Sequence, residues 1–185
     1  LYAEPAVLKR LKGPADNRVP SDTQVARMRE RFLEKAEEYH REAIKREPAL
    51  AEAHVRLGRV LHLRRKLADA RAELEAARRL EAPSEMAYLA TLFLASVVED
   101  ASKPAPAFDL YTELVERWPE CQSAHLGLSR AYSASGNWPA ALEALKPLRK
   151  EQENRACFDA WWVYWNGQAW RLKELLEDLR HRVVS

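Results

Sequence analysis

Alternating runs of Val, Ile and Thr long enough to form a strand are missing from this chain, and only five of its 185 residues are glycine. Both shortages argue against a sheet protein, and 47% hydrophobic residues with an Ala, Leu, Glu and Arg bias favour helix throughout. Two cysteines, Cys121 and Cys157, are too few for a disulfide scaffold. Stacked equivalent positions lie farther apart than a disulfide reaches, which favours two small buried thiols. No apolar stretch approaches the roughly 18 to 20 residues of a membrane span. The longest candidate, Met86 to Val98, contains Ala, Thr and Ser and reads as a helix buried between two neighbours.

Signatures of catalysis are also missing. There is no His-Glu-x-x-His, Cys-x-x-Cys, Gly-x-Gly-x-x-Gly, phosphate-binding Gly-Lys-Ser/Thr loop or Gly-x-Ser-x-Gly elbow. Cys121 and His125, four apart on an expected helix, lack a fourth metal ligand even with Cys157. The expectation is a non-enzyme with no catalytic residue, no metal and no cofactor. The chain opens at Leu1 rather than Met, which reads as a processed or partial polypeptide whose targeting signal is out of view.

What the chain has is a degenerate unit of about 34 residues. The clearest copy runs from Ala51 to Ser84: His54, Leu57, Gly58 and Leu61, then Ala70, Leu74 and Ala77, then Pro83. Gly58 lets two helices approach, the alanines give small contact points, and the leucines fill the spaces between ridges. The next copy has Met86, Leu89, Ala90 and Phe93, then Ala107, Tyr111, Leu114 and Pro119. Its halves are pushed apart by about five residues at 101–106, read as a lengthened turn. A third has His125, Leu128, Ser129 and Tyr132, an Asn137 turn after Gly136, then Ala141, Leu145 and Leu148. Ala36, His40, Ala43 and Pro48 fit the second helix of an earlier, incomplete unit.

Local signals set the boundaries. Residues 1–20, with Pro5, Gly13, Pro14 and Pro20, read as an irregular lead-in. Ser21-x-x-Gln24 is a capping-box pattern opening one long helix to Glu47, along which Val25, Met28, Phe32, Ala36, Tyr39 and Ala43 recur. Ser84 reads as an N-cap, Pro106 and Pro139 suit first turns, and Pro119 follows a helix end. Beyond the array at 21–155, Ala156 to Trp165 and Gln168 to Val183 are expected to form a closing helix pair over 156–185. The last helix has an apolar stripe and a polar outer face, as a terminal cap requires.

The spacing of the Ala51 copy resembles the tetratricopeptide pattern W-x2-L-G-x2-Y, A-x3-F-x2-A, P, with His54 at the Trp position, Pro83 one place late, and Ser129 for glycine in the third unit. The resemblance covers roughly residues 21 to 150. It implies an all-α, right-handed superhelical stack of antiparallel helical hairpins and a protein- or peptide-binding scaffold, a subunit or adaptor of a larger assembly. The concave groove of such arrays, carried over position by position, comprises Val55, Arg59, His62 and Leu63; Ala87, Thr91, Leu94 and Ala95; and Leu126, Arg130, Ser133 and Ala134. Arg59 and Arg130 share a position and are expected to hold carboxylates of an acidic partner. Members that bind chaperone tails use Lys and Asn in a carboxylate clamp; Val55, Leu126 and the arginines replace them, so chaperone tails are not expected ligands.

A second candidate surface is the aromatic end. Phe158, Trp161, Trp162 and Trp165 share one arc of a helical wheel, with Tyr164 at its margin and Trp170 beyond. These rings read either as a recognition patch or, the favoured reading for most of them, as filling between the last hairpins. The run Trp161-Trp162-x-Tyr164-x-x-Gly167-Gln168 is similar to the ends of some bacterial tetratricopeptide proteins, many of them exported, which favours a periplasmic or extracellular location over the cytoplasm. Two rival readings stand beside the scaffold: a nucleic-acid-binding helical repeat, and an accessory region of a longer enzyme. The first rests on Arg56, Arg59, Arg64, Arg65 and Lys66, with no acid between Glu52 and Asp69. Solvated arginines on an outer face are the favoured account of that run, so nucleic acid is not the expected partner. Nothing in the sequence sets the oligomeric state.

Overall fold

A computed structural model describes residues 21–80, 82, 84–101, 105–150 and 159. Among the described residues there are seven α-helices and no strand. They belong to two compact units, Leu1–Leu80 and Glu81–Ser185.

The first unit contains α1 (Asp22–Arg46), α2 (Ala51–Leu63) and α3 (Leu67–Arg79). Ser21 starts α1 as its sequence predicts: its hydroxyl accepts from the Gln24 amide at 3.2 Å, and its own amide donates to Gln24 Oε1 at 2.8 Å. Uninterrupted helical spacing then carries α1 through 25 residues, and the face bearing Val25, Leu33 and Glu37 is buried. α2 packs against both α1 and α3. The α2–α3 pair approaches closely at Gly58, where a Cβ would lie 2.5 Å from Leu74 Cγ, so the role expected of that glycine is observed. Arg65 makes the turn with φ of 62°, a left-handed conformation unusual for a side-chain-bearing residue. Backbone bonds from Arg65 to the His62 carbonyl and from Lys66 to the Leu61 carbonyl, both 2.9 Å, hold it there.

The second unit contains α4 (Ser84–Ala101), α5 (Ala105–Arg117), α6 (Gln122–Ala134) and α7 (Trp138–Lys150). Consecutive helices pack on one another, and α4 also reaches α6. Here the expected lengthened turn is corrected: α4 has 18 residues where α2, α3, α5 and α6 each have 13. The extra length is helix, because nothing in Val97 to Ala101 breaks one, and Val97 and Val98 are buried like the turns before them. Ser84 is the first residue of α4 rather than the cap before it, and its hydroxyl accepts from Trp118 Nε1 at 3.0 Å. Trp118 also sets its ring edge-on to Tyr88, with centroids 5.4 Å apart. Pro106 and Pro139 occupy first turns and Pro119 lies beyond Arg117, as expected. The α6–α7 turn places Gly136 at φ of 79°, the residue type that this conformation suits.

The two histidines at the Trp position do more than pack. His54 places Nε2 3.0 Å from the Pro48 carbonyl and Nδ1 2.7 Å from Glu73 Oε2, and His125 places Nε2 2.7 Å from the Pro119 carbonyl and Nδ1 2.9 Å from the Ala144 carbonyl. Each ring thus ties the loop before its hairpin to the hairpin's second helix. Cys121 is buried at the N-cap of α6, in keeping with a small packed thiol, while Cys157 lies outside the described residues. So does most of the closing pair expected over 156–185. Asp159, placed inside its first helix by the sequence reading, is not helical.

Candidate partner-binding surfaces

Of the positions expected to line a groove, the structure divides the core from the surface. In the first unit, Val55 and His62 are buried in α2, and Arg59 and Leu63 are half-buried. Arg59 Nη1 donates to His62 Nδ1 over 3.2 Å. In the second unit Thr91 and Leu94 are buried in α4, the Thr91 hydroxyl donating to the Ala87 carbonyl at 3.0 Å. Leu126 is 55% exposed and the Arg130 side chain 60% exposed. Ser133 is half-buried, its hydroxyl donating to the Ser129 carbonyl at 2.9 Å. Leu126, Arg130 and Ser133 stand at i, i+4 and i+7, so one face of α6 carries all three.

Arg130 is not an idle cation. Its Nε donates to Glu99 Oε1 at 2.9 Å and its Nη2 to Glu99 Oε2 at 2.5 Å, a bidentate pair, and Nη2 also donates to the Tyr111 hydroxyl at 2.9 Å. Tyr111 in turn donates to Glu99 Oε2 at 3.0 Å. The Glu99 carboxylate raises the Arg130 pKa further, against the opposing effect of burial. Burial pushes Tyr111 up to about 12, with Arg130 working in the other direction. Glu99 belongs to the last turn of the lengthened α4, so the insertion in the second unit delivers the carboxylate that Arg130 meets. The expected likeness of Arg59 and Arg130 therefore extends to position and not to surroundings.

Part of the basic run from Arg56 to Lys66 is likewise partnered, Arg64 and Lys66 by acids about 30 residues away in sequence. Arg64 reaches across to α1, bonding Glu30 at 2.8 Å, Glu34 at 3.1 Å and Glu37 at 2.5 Å. Lys66 bonds both Glu37 oxygens at 2.9 and 3.0 Å, and Arg41 is a further partner of Glu37. Arg56 pairs with Glu52 at 2.8 Å. Burial alone raises the Glu37 pKa, but Lys66, Arg64 and Arg41 outweigh it and hold the carboxyl below its usual value. Burial likewise opposes the charge on Arg64, and Glu37 with Glu30 more than restores it. The expectation of solvated arginines is corrected for Arg64, whose side chain is mostly enclosed.

Trp161, Trp162, Tyr164, Trp165 and Trp170 lie outside the described residues. Among the described residues no three His, Cys, Asp or Glu side chains converge as a metal would require, and no helix is long and apolar enough to cross a membrane. Glu37, Glu99, Gly127 and Trp118 are the residues that sequence reasoning missed. Only Trp118 carries a local signal, its place just before Pro119.

The helices described here form an array of helical hairpins. Two models described as tetratricopeptide repeat match it, one over residues 25–85 and 64–121 and the other over 100–160. The chain belongs to the tetratricopeptide repeat family. No curated protein matches it. Repeats of this family generally mediate protein–protein interaction and scaffolding.

Proposed function

We propose that the chain is a non-catalytic scaffold that binds a protein or peptide segment along the exposed face of α6. The observation that carries this reading is the stripe in which Leu126, largely exposed, stands one turn from the exposed Arg130 guanidinium. An apolar side chain exposed beside a fixed, bidentately held arginine suits a segment presenting an apolar residue next to a carboxylate or carbonyl. Glu99 holds the guanidinium in place through Nε and Nη2, so a ligand meets a preorganised donor and loses little side-chain entropy in binding it. Arg59, with Leu63 one turn on, is the corresponding donor on α2. Nucleic acid is the weaker reading, since Arg56, Arg64 and Lys66 already face carboxylates.

Selection of a displayed peptide library on the purified chain tests the proposal. Peptides enriched on the wild type are expected to lose at least about tenfold in affinity to Leu126→Asp, a change of roughly 1.4 kcal/mol, while helicity and unfolding midpoint stay the same. Selected peptides that bind Leu126→Asp and Arg130→Glu as tightly as the wild type would place the binding face elsewhere.

A further inference from the structure

We infer that the outward face of α1, along which Met28, Phe32, Lys35 and Tyr39 recur, pairs antiparallel with the same face of a second copy of this chain. Met28 is 39% exposed, Phe32 46% and Tyr39 71%. Their spacing of i, i+4, i+7 and i+11 puts all four within an arc of about 60°. The side of α1 that carries Val25, Leu33 and Glu37 is buried, and α2 packs on α1. The exposed stripe is therefore a second apolar face, and two large rings and a thioether in line are more than scattered surface residues account for.

The charges beside the stripe point to what covers it. Arg27, Arg31, Glu38 and Glu42 share one of its edges, with the two cations toward the N-terminus and the two acids toward the C-terminus. The later arginines of α1 are engaged within the helix, Arg41 with Glu37 and Arg46 with Glu42. Arg27, Arg31 and Glu38 are exposed, and among the described residues they make no hydrogen bond or ion pair.

Turned end for end, this edge matches itself. An antiparallel copy centred at about residue 34 brings Arg31 opposite Glu38 of the second copy and Arg27 opposite its Glu42. The same register sets Met28 against Tyr39 of the second copy and Phe32 against its Lys35, whose aliphatic stem covers the ring while the ammonium reaches water. A parallel pair would instead oppose Arg31 to Arg31 and Glu38 to Glu38. A twofold interface needs a self-complementary patch, and the order of charges along α1 supplies one. The strip from Arg27 to Glu42 is about 23 Å long and about 10 Å wide. That is small beside interfaces of about 1,600 Å², so the dimer should form in the micromolar range rather than the nanomolar.

Sedimentation velocity on the full chain at low salt, from about 1 to 300 μM, tests the inference. The wild type should pass reversibly from monomer to dimer, and Phe32→Glu should stay monomeric with unchanged helicity. Arg31→Glu and Glu38→Arg should each weaken the dimer by about tenfold, since each alone sets like charges opposite one another. An equimolar mixture of those two variants should dimerise about as well as the wild type, because every facing pair is then again one cation and one acid. A wild type that stays monomeric at every concentration overturns the inference, and so does a dimer that Phe32→Glu leaves intact. A mixture no stronger than either variant alone overturns the antiparallel register. The peptide-binding proposal rests on α6 and survives all three.

Discussion

Gly127 lies directly against the ring of Tyr111: a Cβ at this position would come within 2.2 Å of Cε1 and 2.6 Å of Cδ1. The ring has nowhere to retreat, because Tyr111 is buried and its hydroxyl is bonded to Glu99 and Arg130. Alanine gains about 1 kcal/mol of helix preference over glycine, but the overlap costs about 1–3 kcal/mol or more. Gly127→Ala is therefore expected to lower stability by about 1–2 kcal/mol in urea unfolding, and Gly127→Val by more. A neutral or stabilising Gly127→Ala would show that the ring can give way and that the close approach is not what requires glycine here.

Glu37 supports the first unit at a single buried point. Removing it takes a carboxylate from Lys66 and one of three from Arg64, which keeps Glu30 and Glu34, so the loss is that of charged hydrogen bonds at one enclosed point, about 1.5–3 kcal/mol. Glu37→Ala should lose an amount of that order. The pH dependence follows from the lowered folded pKa: on acidification the unfolded chain takes up the proton first. The stabilisation is therefore complete above about 4.5 and disappears as pH falls through the lower folded value. Unfolding free energies measured down to about pH 3 should fall less steeply below 4.5 in Glu37→Gln than in the wild type, once their different starting values are subtracted. Parallel acid limbs would count against the pairing.

His40 acts in a higher window. Burial, and next the charge of Arg56, lower its pKa from 6.5 to about 4 in the folded chain, while Glu52 pulls weakly the other way. Since the unfolded chain binds the proton near 6.5, stability is whole above that value, declines as pH falls toward 4, and levels off below. His40→Leu should remove this slope between 6.5 and 4 and leave the steeper loss below 4.5 in place. Persistence of the slope would assign it to another group.

Much of the fold was legible because its signals are local. Ser21 and Gln24 announce α1, Gly58 announces a close crossing, and the 34-residue spacing announces the hairpins. The errors came where a strong local cue pointed the wrong way or the partner was remote. Prolines after Ala101 drew attention to a turn and hid a longer α4. In the third unit the family's glycine position is Ser129, and a separate close approach, of Gly127 to the Tyr111 ring on the preceding hairpin's α5, has no counterpart in the family pattern. Glu37 and Glu99 meet their cations about 30 residues away in sequence, and helical periodicity has no means of pairing them. Spacing along the sequence assigns Leu126, Arg130 and Ser133 to one face of α6, but the partner that Arg130 meets there depends on the length of α4.

That dependence gives the sharpest prediction for binding. Glu99 neutralises Arg130 while it orients it, so an acidic ligand feels a guanidinium whose charge is largely spent. Glu99→Gln keeps the size and an acceptor oxygen for Nε but removes the negative charge. Glu99 is mostly enclosed and also accepts the Tyr111 hydroxyl, so the change should cost about 1–3 kcal/mol of stability. If the α6 face binds as proposed, peptides with a carboxylate should bind Glu99→Gln about three- to tenfold more tightly than the wild type at low salt. That gain should shrink as salt rises, and peptides with an uncharged acceptor there should change little. Titration of matched acidic and amide peptides against both proteins measures the difference directly. Equal gains for both peptides would mean a change of shape rather than charge, and no gain for either would remove Arg130 from the binding face.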